Sequence, residues 1–247
     1  LERIHFEEDA GKLLHDEIDG TIVDFNRCGV PLVEIVTEPD FRSAEEVIAY
    51  LEKLKSILEY LGISDCKMQE GSLRCDVNLS VRPAGSDTLG TRTELKNRSS
   101  FKAIRRAIYY EARRQIERLE AGGRVVQETR RWDDNKDATF SMRSKEDAQD
   151  YRYFPEPDLV PIVISDAWLE EIRSRQPELR TEKLARYKEE FDIPEYDAKI
   201  LTESKHMADL FEETTAICGK PKKVSNWLMV ETMRLMKEHE MEPEELD

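Results

Sequence analysis

The chain has 247 residues, and its 38 basic and 53 acidic side chains give a formal charge of −15. This length is enough for one large or two modest domains with a buried core. The acidic balance argues against a protein that holds nucleic acid by bulk electrostatics, because that affinity depends on Lys and Arg at the phosphates, but it leaves room for a local basic surface.

The sequence lacks two signals of export or membrane insertion. No apolar run approaches the roughly 18 residues that predict a membrane span, and the start at Leu1 lacks the layout of a signal peptide. We therefore expect a cytoplasmic protein. The four cysteines form no Cys-x-x-Cys pair, which favours reduced, mostly buried thiols over a zinc site or a disulfide framework.

The first half of the chain predicts strands and two long helices. Short strands are expected at residues 21–26 and 32–36. A capping box from Ser43 to Glu46 begins a helix that Gly62 ends. Strict alternation predicts a strand over residues 71–82, and residues 91–96 return as its hairpin partner. Ser99 or Ser100 caps the second helix, which ends before residues 122–123.

The second half predicts further strands and then a series of helices. Strands are expected at 125–130, 139–143 and 159–164, and two prolines fix residues 150–158 as an extended segment. From Asp166 onward the pattern is helical, with Trp168, Phe211, Trp227 and Leu228 as the expected core. The predicted fold is α+β: a mixed, largely antiparallel sheet domain over 1–165, a boundary near Ser165, and an all-α domain over 166–247.

Carboxylates stand in strand-like contexts where burial would be costly without a partner. They are the cluster Glu7-Glu8-Asp9, Glu34 within an apolar strand, and Asp76 on the polar face of the clearest strand. Mg²⁺ takes such oxygen ligands together with water and substrate phosphates. The alternatives are a solvated acidic turn for the cluster and a salt bridge from Glu34 to Arg27 or Arg74. The sequence has no P-loop, so a nucleotide would bind without one.

The second helix is locally cationic in an anionic protein. Residues 98–120 contain seven basic and three acidic side chains, and Tyr109 and Tyr110 interleave with the arginines. Such a surface suits contact with nucleic acid, although a solvated face paired with neighbouring acids is an open alternative. Lys12, beside Gly11, is a further candidate phosphate contact, with an ordinary surface lysine as the alternative.

Several motifs recur in the order typical of one family. They are Glu7-Glu-Asp-Ala-Gly-Lys12, Asp24-Phe-Asn-Arg27 with Gly29-Val-Pro-Leu-Val-Glu34, Glu38-Pro-Asp40, Glu70-Gly-Ser-Leu-Arg-Cys-Asp-Val-Asn78, Glu94-Leu-Lys-Asn97 and Asp150-Tyr-Arg-Tyr-Phe-Pro-Glu-Pro-Asp158. With these motifs the chain strongly resembles the B subunit of the glutamyl/aspartyl-tRNA amidotransferase. The likeness continues through Tyr196-Asp-Ala and Ser225-Asn-Trp-Leu228, so it covers essentially the whole chain.

The resemblance implies a carbon–nitrogen ligase that uses ATP and Mg²⁺. In that family, the B subunit phosphorylates the side-chain carboxylate of Glu on tRNA(Gln) or Asp on tRNA(Asn). Ammonia from the amidase, which is the A subunit, then displaces the phosphate, and a small C subunit completes the heterotrimer. The family fold is a sheet "cradle" followed by a helical domain and a tail domain. Relative to it we expect an N-terminal metal-binding stretch and the tail to be missing, and hence weak or no activity in isolation.

Three site residues follow from this resemblance, and the others follow from the predicted sheet geometry and from charge. Glu8, Glu34 and Asp76 match positions that the family uses around its catalytic metal. Arg74, Asn78 and Lys96 share the predicted polar sheet face, and with Lys12 they are our candidates for phosphate or the aminoacyl end. Arg105, Arg106 and Arg113 are the candidates for tRNA contact. The alternative functions are a non-catalytic docking platform for the amidase and tRNA, and an unrelated metal-dependent phosphotransferase or nuclease.

Overall fold

The computed structural model describes residues 1–14, 20–97, 100–144 and 160–246. The chain divides into two compact units, Leu1–Ser43 and Ala44–Asp247. The fold is mixed α/β with sheets of mixed orientation, which agrees with the predicted α+β class. Within the described ranges, no helix has the length and apolar character that crossing a membrane requires.

The first unit consists of two antiparallel strand pairs. Strand β1 (Arg3–Glu8) pairs with β4 (Pro31–Val36), and β2 (Lys12–Leu14) pairs with β3 (Ile22–Asp24). The strands predicted at 21–26 and 32–36 are therefore confirmed. Gly29, at φ +78°, precedes β4 in a left-handed conformation that favours glycine.

The second unit is built on a four-stranded sheet in the order β5-β6-β7-β8. These strands are β5 (Cys75–Leu79), β6 (Thr93–Asn97), β7 (Glu128–Asp133) and β8 (Ala138–Ser144). β6 and β7 run parallel, and the other two pairs are antiparallel. The predicted β5–β6 hairpin is confirmed, although β5 is much shorter than the alternation over 71–82 suggested.

Two long helices form the core of the second unit with the sheet. Helix α1 (Ala44–Tyr60) and helix α2 (Phe101–Glu120) bury Ile48, Leu51, Ile104 and Ile108 in one cluster. Of the two serines predicted to cap α2, Ser100 does so, because its side chain accepts a hydrogen bond from the N–H of Ala103. A second cluster joins α2 to the sheet through Leu95, Ala103, Ala107 and Trp132.

The described residues from Asp166 onward are mostly helical. The helices are α3 (Asp166–Arg175), α4 (Arg180–Glu189), α5 (Glu195–Leu201), α6 (Lys205–Cys218), α7 (Pro221–Trp227) and α8 (Met233–His239), with a π-helical segment, Leu228–Thr232, between the last two. Tyr187, Phe211 and Leu228 belong to their shared core. A hydrogen bond of 2.7 Å from the hydroxyl of Tyr60 to the carbonyl of Thr202 links α1 to these helices.

Some predictions need correction. Phe211 and Leu228 are buried as expected, but Trp168 and Trp227 are 46% and 68% exposed. Residues 160–164 form no strand, and Pro161 has no N–H to offer a ladder. All four cysteines are free, but Cys28 and Cys218 are exposed rather than buried. The extended segment predicted at 150–158 lies outside the described residues, and the domain boundary near Ser165 stays a prediction.

Candidate active site

Three side chains of the β1–β4 pair form a cluster that could hold a cation. His5 lies directly opposite Glu34 in the antiparallel register. The Nε2 atom of His5 lies 2.9 Å from a carboxylate oxygen of Glu34 and 2.9 Å from one of Glu7. The ligand atoms of the three residues all lie within 4.8 Å of one another. This cluster contains Glu34 and also Glu7 of the predicted acidic run Glu7-Glu8-Asp9, and it adds His5, which sequence reasoning did not select.

Glu8 does not join this cluster. It pairs with Pro31 in the register and follows Glu7 directly, so the alternation of a strand directs its side chain to the opposite face from His5 and Glu7. Glu8 is exposed, and its side chain has no hydrogen-bonding partner among the described residues. Asp9, the third member of the acidic run, pairs with Arg27 at 2.9 Å. The role of Glu8 as a metal ligand stays a prediction.

The burial argument for Glu34 is wrong, although its position in the cluster is clear. The side chain of Glu34 is 49% exposed, so it pays little desolvation cost. The apolar run Leu32–Val36 misled because none of its residues is buried in this unit: Val33 and Glu34 are exposed and the others are half-buried. The partner of Glu34 is His5, whereas sequence reasoning proposed Arg27 or Arg74. His5 and Glu7 are two residues apart, which places them on the same face of a strand, and this spacing was the signal that could have identified His5.

A second charged cluster lies on the polar face of the β5–β6 hairpin. The ladder pairs Asp76 with Lys96 and Asn78 with Glu94. The Nζ atom of Lys96 lies 2.6 Å from Asp76 and 2.9 Å from Glu94. Burial opposes the charged form of Lys96, but the hydrogen bonds to both carboxylates outweigh it and raise the pKa of the ammonium group. Lys96 is thus a fixed positive charge on this face.

Glu94 is the residue of this face that sequence reasoning missed as a site residue. Its side chain is only 14% exposed. One carboxylate oxygen contacts Lys96, and the other accepts a hydrogen bond of 3.1 Å from the hydroxyl of Thr129 on β7. Glu94 is therefore oriented from two sides and in turn orients Lys96. Its place within Glu94-Leu-Lys-Asn97 was the available signal.

The other candidates for phosphate contact are Asn78, Arg74 and Lys12. Asn78 is exposed on the same ladder face as Asp76, and Arg74 is exposed just before β5 begins. The predicted common face of Asn78 and Lys96 is thus confirmed by the register. The side chain of Lys12 lies outside the described part of the chain. The contact of any of these residues with a ligand stays a prediction.

The cationic helix α2 presents its three predicted arginines differently. Arg105 and Arg113 are exposed. Arg106 is paired within the chain, with 2.8 Å to Asp137, 3.5 Å to Asp134, and its guanidinium carbon 5.3 Å from the ring centroid of Trp132. Arg106 therefore stabilises the contact of α2 with β7 and the turn that follows it, whereas Arg105 and Arg113 remain available on the surface.

A buried carboxylate joins α2 to the sheet beneath this surface. Glu111 is fully buried and accepts hydrogen bonds from Thr93 at 3.0 Å, Arg114 at 2.6 Å and Thr139 at 3.0 Å. Arg130 of β7 lies 3.3 Å away. Burial raises the pKa of Glu111, but these donors overcome it and hold the pKa below its usual value. The network fixes β6, whose opposite face carries Glu94 and Lys96.

Comparison with known proteins supports one family. A family model described as the GatB/GatE catalytic domain matches residues 1–170. The B subunit of the aspartyl/glutamyl-tRNA(Asn/Gln) amidotransferase of Agathobacter rectalis is 70% identical over 98% of this chain and 51% of its own length. Subunits of the same name from Lachnoclostridium phytofermentans and Caldicellulosiruptor bescii are 70% and 63% identical, over 100% of this chain and 52% of their lengths. The chain thus spans about half the length of these relatives.

Proposed function

Because the chain belongs to the GatB/GatE catalytic-domain family, we propose that it carries catalytic residues of the B subunit of a tRNA-dependent amidotransferase. The match to relatives of that name over nearly the whole chain carries this proposal. The enzyme would form the amide of Gln-tRNA(Gln), of Asn-tRNA(Asn) or of both. Its partners would be the amidase, as A subunit, together with a small C subunit, in the cytoplasm.

The proposed reaction has two steps, phosphorylation of the side-chain carboxylate and then its amidation. A side-chain carboxylate oxygen of the aminoacyl-tRNA attacks the γ-phosphorus of ATP, the bond to the bridging oxygen breaks, and ADP leaves. Ammonia then attacks the acyl carbon of the mixed anhydride, phosphate leaves with the bonding electron pair, and a proton is lost to give the amide. Phosphoryl transfer asks a protein chiefly for positioning and for stabilisation of developing charge.

Lys96 is the residue we assign to charge stabilisation. Its ammonium group is held by Asp76 and Glu94 on a partly exposed sheet face, so it keeps its charge and its orientation. A preoriented cation of this kind costs no reorganisation as negative charge develops on a phosphoryl group. Asn78, exposed on the same face, would donate its amide N–H groups to the same oxygens.

The cluster of His5, Glu7 and Glu34 supplies a donor set that fits a divalent cation. Two carboxylates suit Mg²⁺, which usually binds proteins through one or two of them with water and phosphates. The imidazole adds a ligand that first-row transition metals prefer. A cation bound there would supply positive charge to a phosphate-bearing ligand. In the chain itself, His5 bridges the two carboxylates and so keeps them near each other.

We further propose that the helical part, α3 to α8, forms a separate all-α domain after the sheet domain. We also propose that the exposed Arg105 and Arg113 of α2 contact the tRNA backbone. A local cationic surface can bind phosphates even in a chain of net charge −15. Arg106 is less suited to that role because Asp134 and Asp137 already occupy it.

The proposal is tested with the full-length protein in its complex. Amide formation is measured on Glu-tRNA(Gln) and on Asp-tRNA(Asn), with ATP and glutamine supplied. We expect tRNA-dependent ADP formation and amide product, both lost in Lys96→Met and retained in Glu52→Gln, an exposed control on α1. If complexes assemble and bind tRNA but Lys96→Met turns over normally, the docking-platform function is favoured for this part of the chain.

A further inference from the structure

An exposed tryptophan lies in a groove at the end of the helical part. Trp227 is 68% exposed, although Val224 and Leu228 on either side of it are buried in the core. The groove has a volume near 410 Å³ and is formed by α6, α7 and the π-helical segment. Tryptophan is enriched at binding interfaces, so this exposed ring is a candidate contact for a ligand.

The charged residues that line this groove are both basic, although the chain as a whole is acidic. Lys220 and Lys223 line the groove, and its described lining contains no acidic residue. Both lysines are exposed, and neither forms an ion pair within the described ranges. The neighbouring Lys222, in contrast, is paired with Asp192. Two exposed lysines that share a groove with a flat ring complement a ligand that has both a negative charge and a π face.

The backbone at the groove is also unusual. Trp227 is the last residue of α7, and the π-helical segment begins directly after it at Leu228. Leu228 and Thr232 of this segment line the groove. Single π-helical turns inside α-helices are rare and occur frequently at functional sites. The widened turn therefore coincides with the exposed ring and the lysines.

We propose that this groove binds an unpaired nucleotide of RNA, with the base stacked on Trp227 and the phosphates contacted by Lys220 and Lys223. Stacking on aromatic side chains beside a basic groove is how proteins bind single-stranded nucleic acid. The inference rests on the proposed tRNA function and adds a site to it, distant in sequence from the arginines of α2. An apolar protein segment would also bury the ring, but it would leave the two lysines without a counter-charge.

The test uses the 247-residue chain and a short single-stranded oligoadenylate. A Trp168→Phe background leaves Trp227 as the exposed fluorophore, since Trp132 is only 7% exposed. Binding is expected to quench the fluorescence. The Trp227 variants lack this fluorophore, so their affinity and that of the parent chain are compared by fluorescence anisotropy of an end-labelled oligoadenylate. Trp227→Ala should weaken binding about tenfold, Trp227→Phe should restore part of it, and duplex RNA should compete poorly. Melting curves of each variant verify that the helical core is intact.

The lysines are tested by the salt dependence of the same binding. Lys220→Gln and Lys223→Gln should each reduce the slope of log affinity against log salt by about 0.7, and Lys222→Gln should leave it unchanged. Equal oligoadenylate affinity of Trp227→Ala and the parent chain would overturn the proposal. So would normal RNA binding by Trp227→Ala with weaker assembly of the complex, which would identify a protein docking site. Because this binding needs neither ATP nor the partner proteins, its failure and a failure of amide formation are told apart.

Discussion

Lys96 and Asp76 face each other across the β5–β6 ladder, with 2.6 Å between Nζ and the carboxylate oxygen. Their side chains are 33% and 46% exposed. Ion pairs at such partly solvated positions contribute about 1 kcal/mol or less to stability. Stability alone therefore does not explain this ion pair. We attribute to it the orientation of the Lys96 ammonium group on the sheet face.

Replacing Lys96 should separate activity from stability. We expect Lys96→Met to change the free energy of unfolding by about 1 kcal/mol or less, and to lower the rate of amide formation by about a hundredfold. Denaturant unfolding of the chain and turnover of the complete enzyme measure the two effects. A large loss of stability with an unchanged turnover would show that Lys96 is structural.

The His5–Glu7–Glu34 cluster predicts the ligand dependence of cation binding. Calorimetry of the 247-residue chain with Mg²⁺ or Mn²⁺ should give binding that Glu34→Gln weakens by about tenfold or more, with Mn²⁺ the tighter ion because of the imidazole. Glu8→Gln, on the neighbouring strand β1 with its side chain on the opposite face, is the matched variant and should bind as the parent does. If Glu8→Gln weakens cation binding and Glu34→Gln does not, the metal site lies on the face of Glu8 instead.

Loss of the buried Glu111 should destabilise the second unit. Glu111→Gln removes the negative charge between Arg114 and Arg130, and breaking a buried ion pair costs about 3 kcal/mol. Denaturant unfolding measures the loss. Glu117→Gln, exposed on the same helix, is the control and should unfold like the parent chain.

The same residue predicts the response of stability to acid. The donors around Glu111 hold its folded-state pKa below the ordinary value of 4.5. Its contribution is therefore fully present above pH 4.5 and is lost as the pH falls through the lower folded-state value. Glu111→Gln and the parent chain should differ by a constant free energy of unfolding above this range and converge below it. A difference that grows on acidification would contradict the assigned charge.

The arginines of α2 should contribute unequally to tRNA binding. Arg105→Gln and Arg113→Gln should each weaken tRNA affinity and reduce its salt slope by about 1, because each removes one available phosphate contact. Arg106→Gln should mainly lower stability, because Asp134, Asp137 and the ring of Trp132 lose their partner. Filter binding at several salt concentrations separates the two effects, and equal slopes for all variants would exclude α2 as the contact.

The four cysteines should react in two classes. Cys28 and Cys218 are exposed, whereas burial raises the pKa of Cys66 and raises that of Cys75 to about 12. Iodoacetamide at mildly alkaline pH should alkylate Cys28 and Cys218 rapidly and the other two only after unfolding in urea. Mass spectrometry identifies the sites. Fast modification of Cys75 in the folded chain would contradict its place between the sheet and the helices.

Most helices and strands were predictable because they depend on patterns within a short stretch of sequence. The capping box at Ser43 and the apolar spacing that follows define α1, and the alternation around Asp76 defines the β5–β6 hairpin with the correct polar face. Long-range pairing carries no such signal. The neighbours of Glu34 depend on the β1–β4 register, which sequence alone does not state.

The tryptophans show a second limit of sequence reasoning. Trp168 and Trp227 were placed in the core because large apolar residues at helical spacing usually belong there. The helical core is instead completed by Tyr187, Ile193, Met207 and Phe211, and both tryptophans lie outside it. Residue type alone does not show which face of a helix its neighbours cover.

The most direct test of the proposed activity is phosphoryl transfer from ATP to the aminoacyl group. The full-length protein in its complex is given γ-labelled ATP and Glu-tRNA(Gln) without an ammonia source, and label on the charged tRNA is measured. The account predicts label that depends on charged tRNA, persists in Glu52→Gln and is absent in Lys96→Met and Asp76→Asn. Undiminished labelling in both site variants, with normally assembled complexes, would contradict the assignment of the β5–β6 face as the catalytic surface.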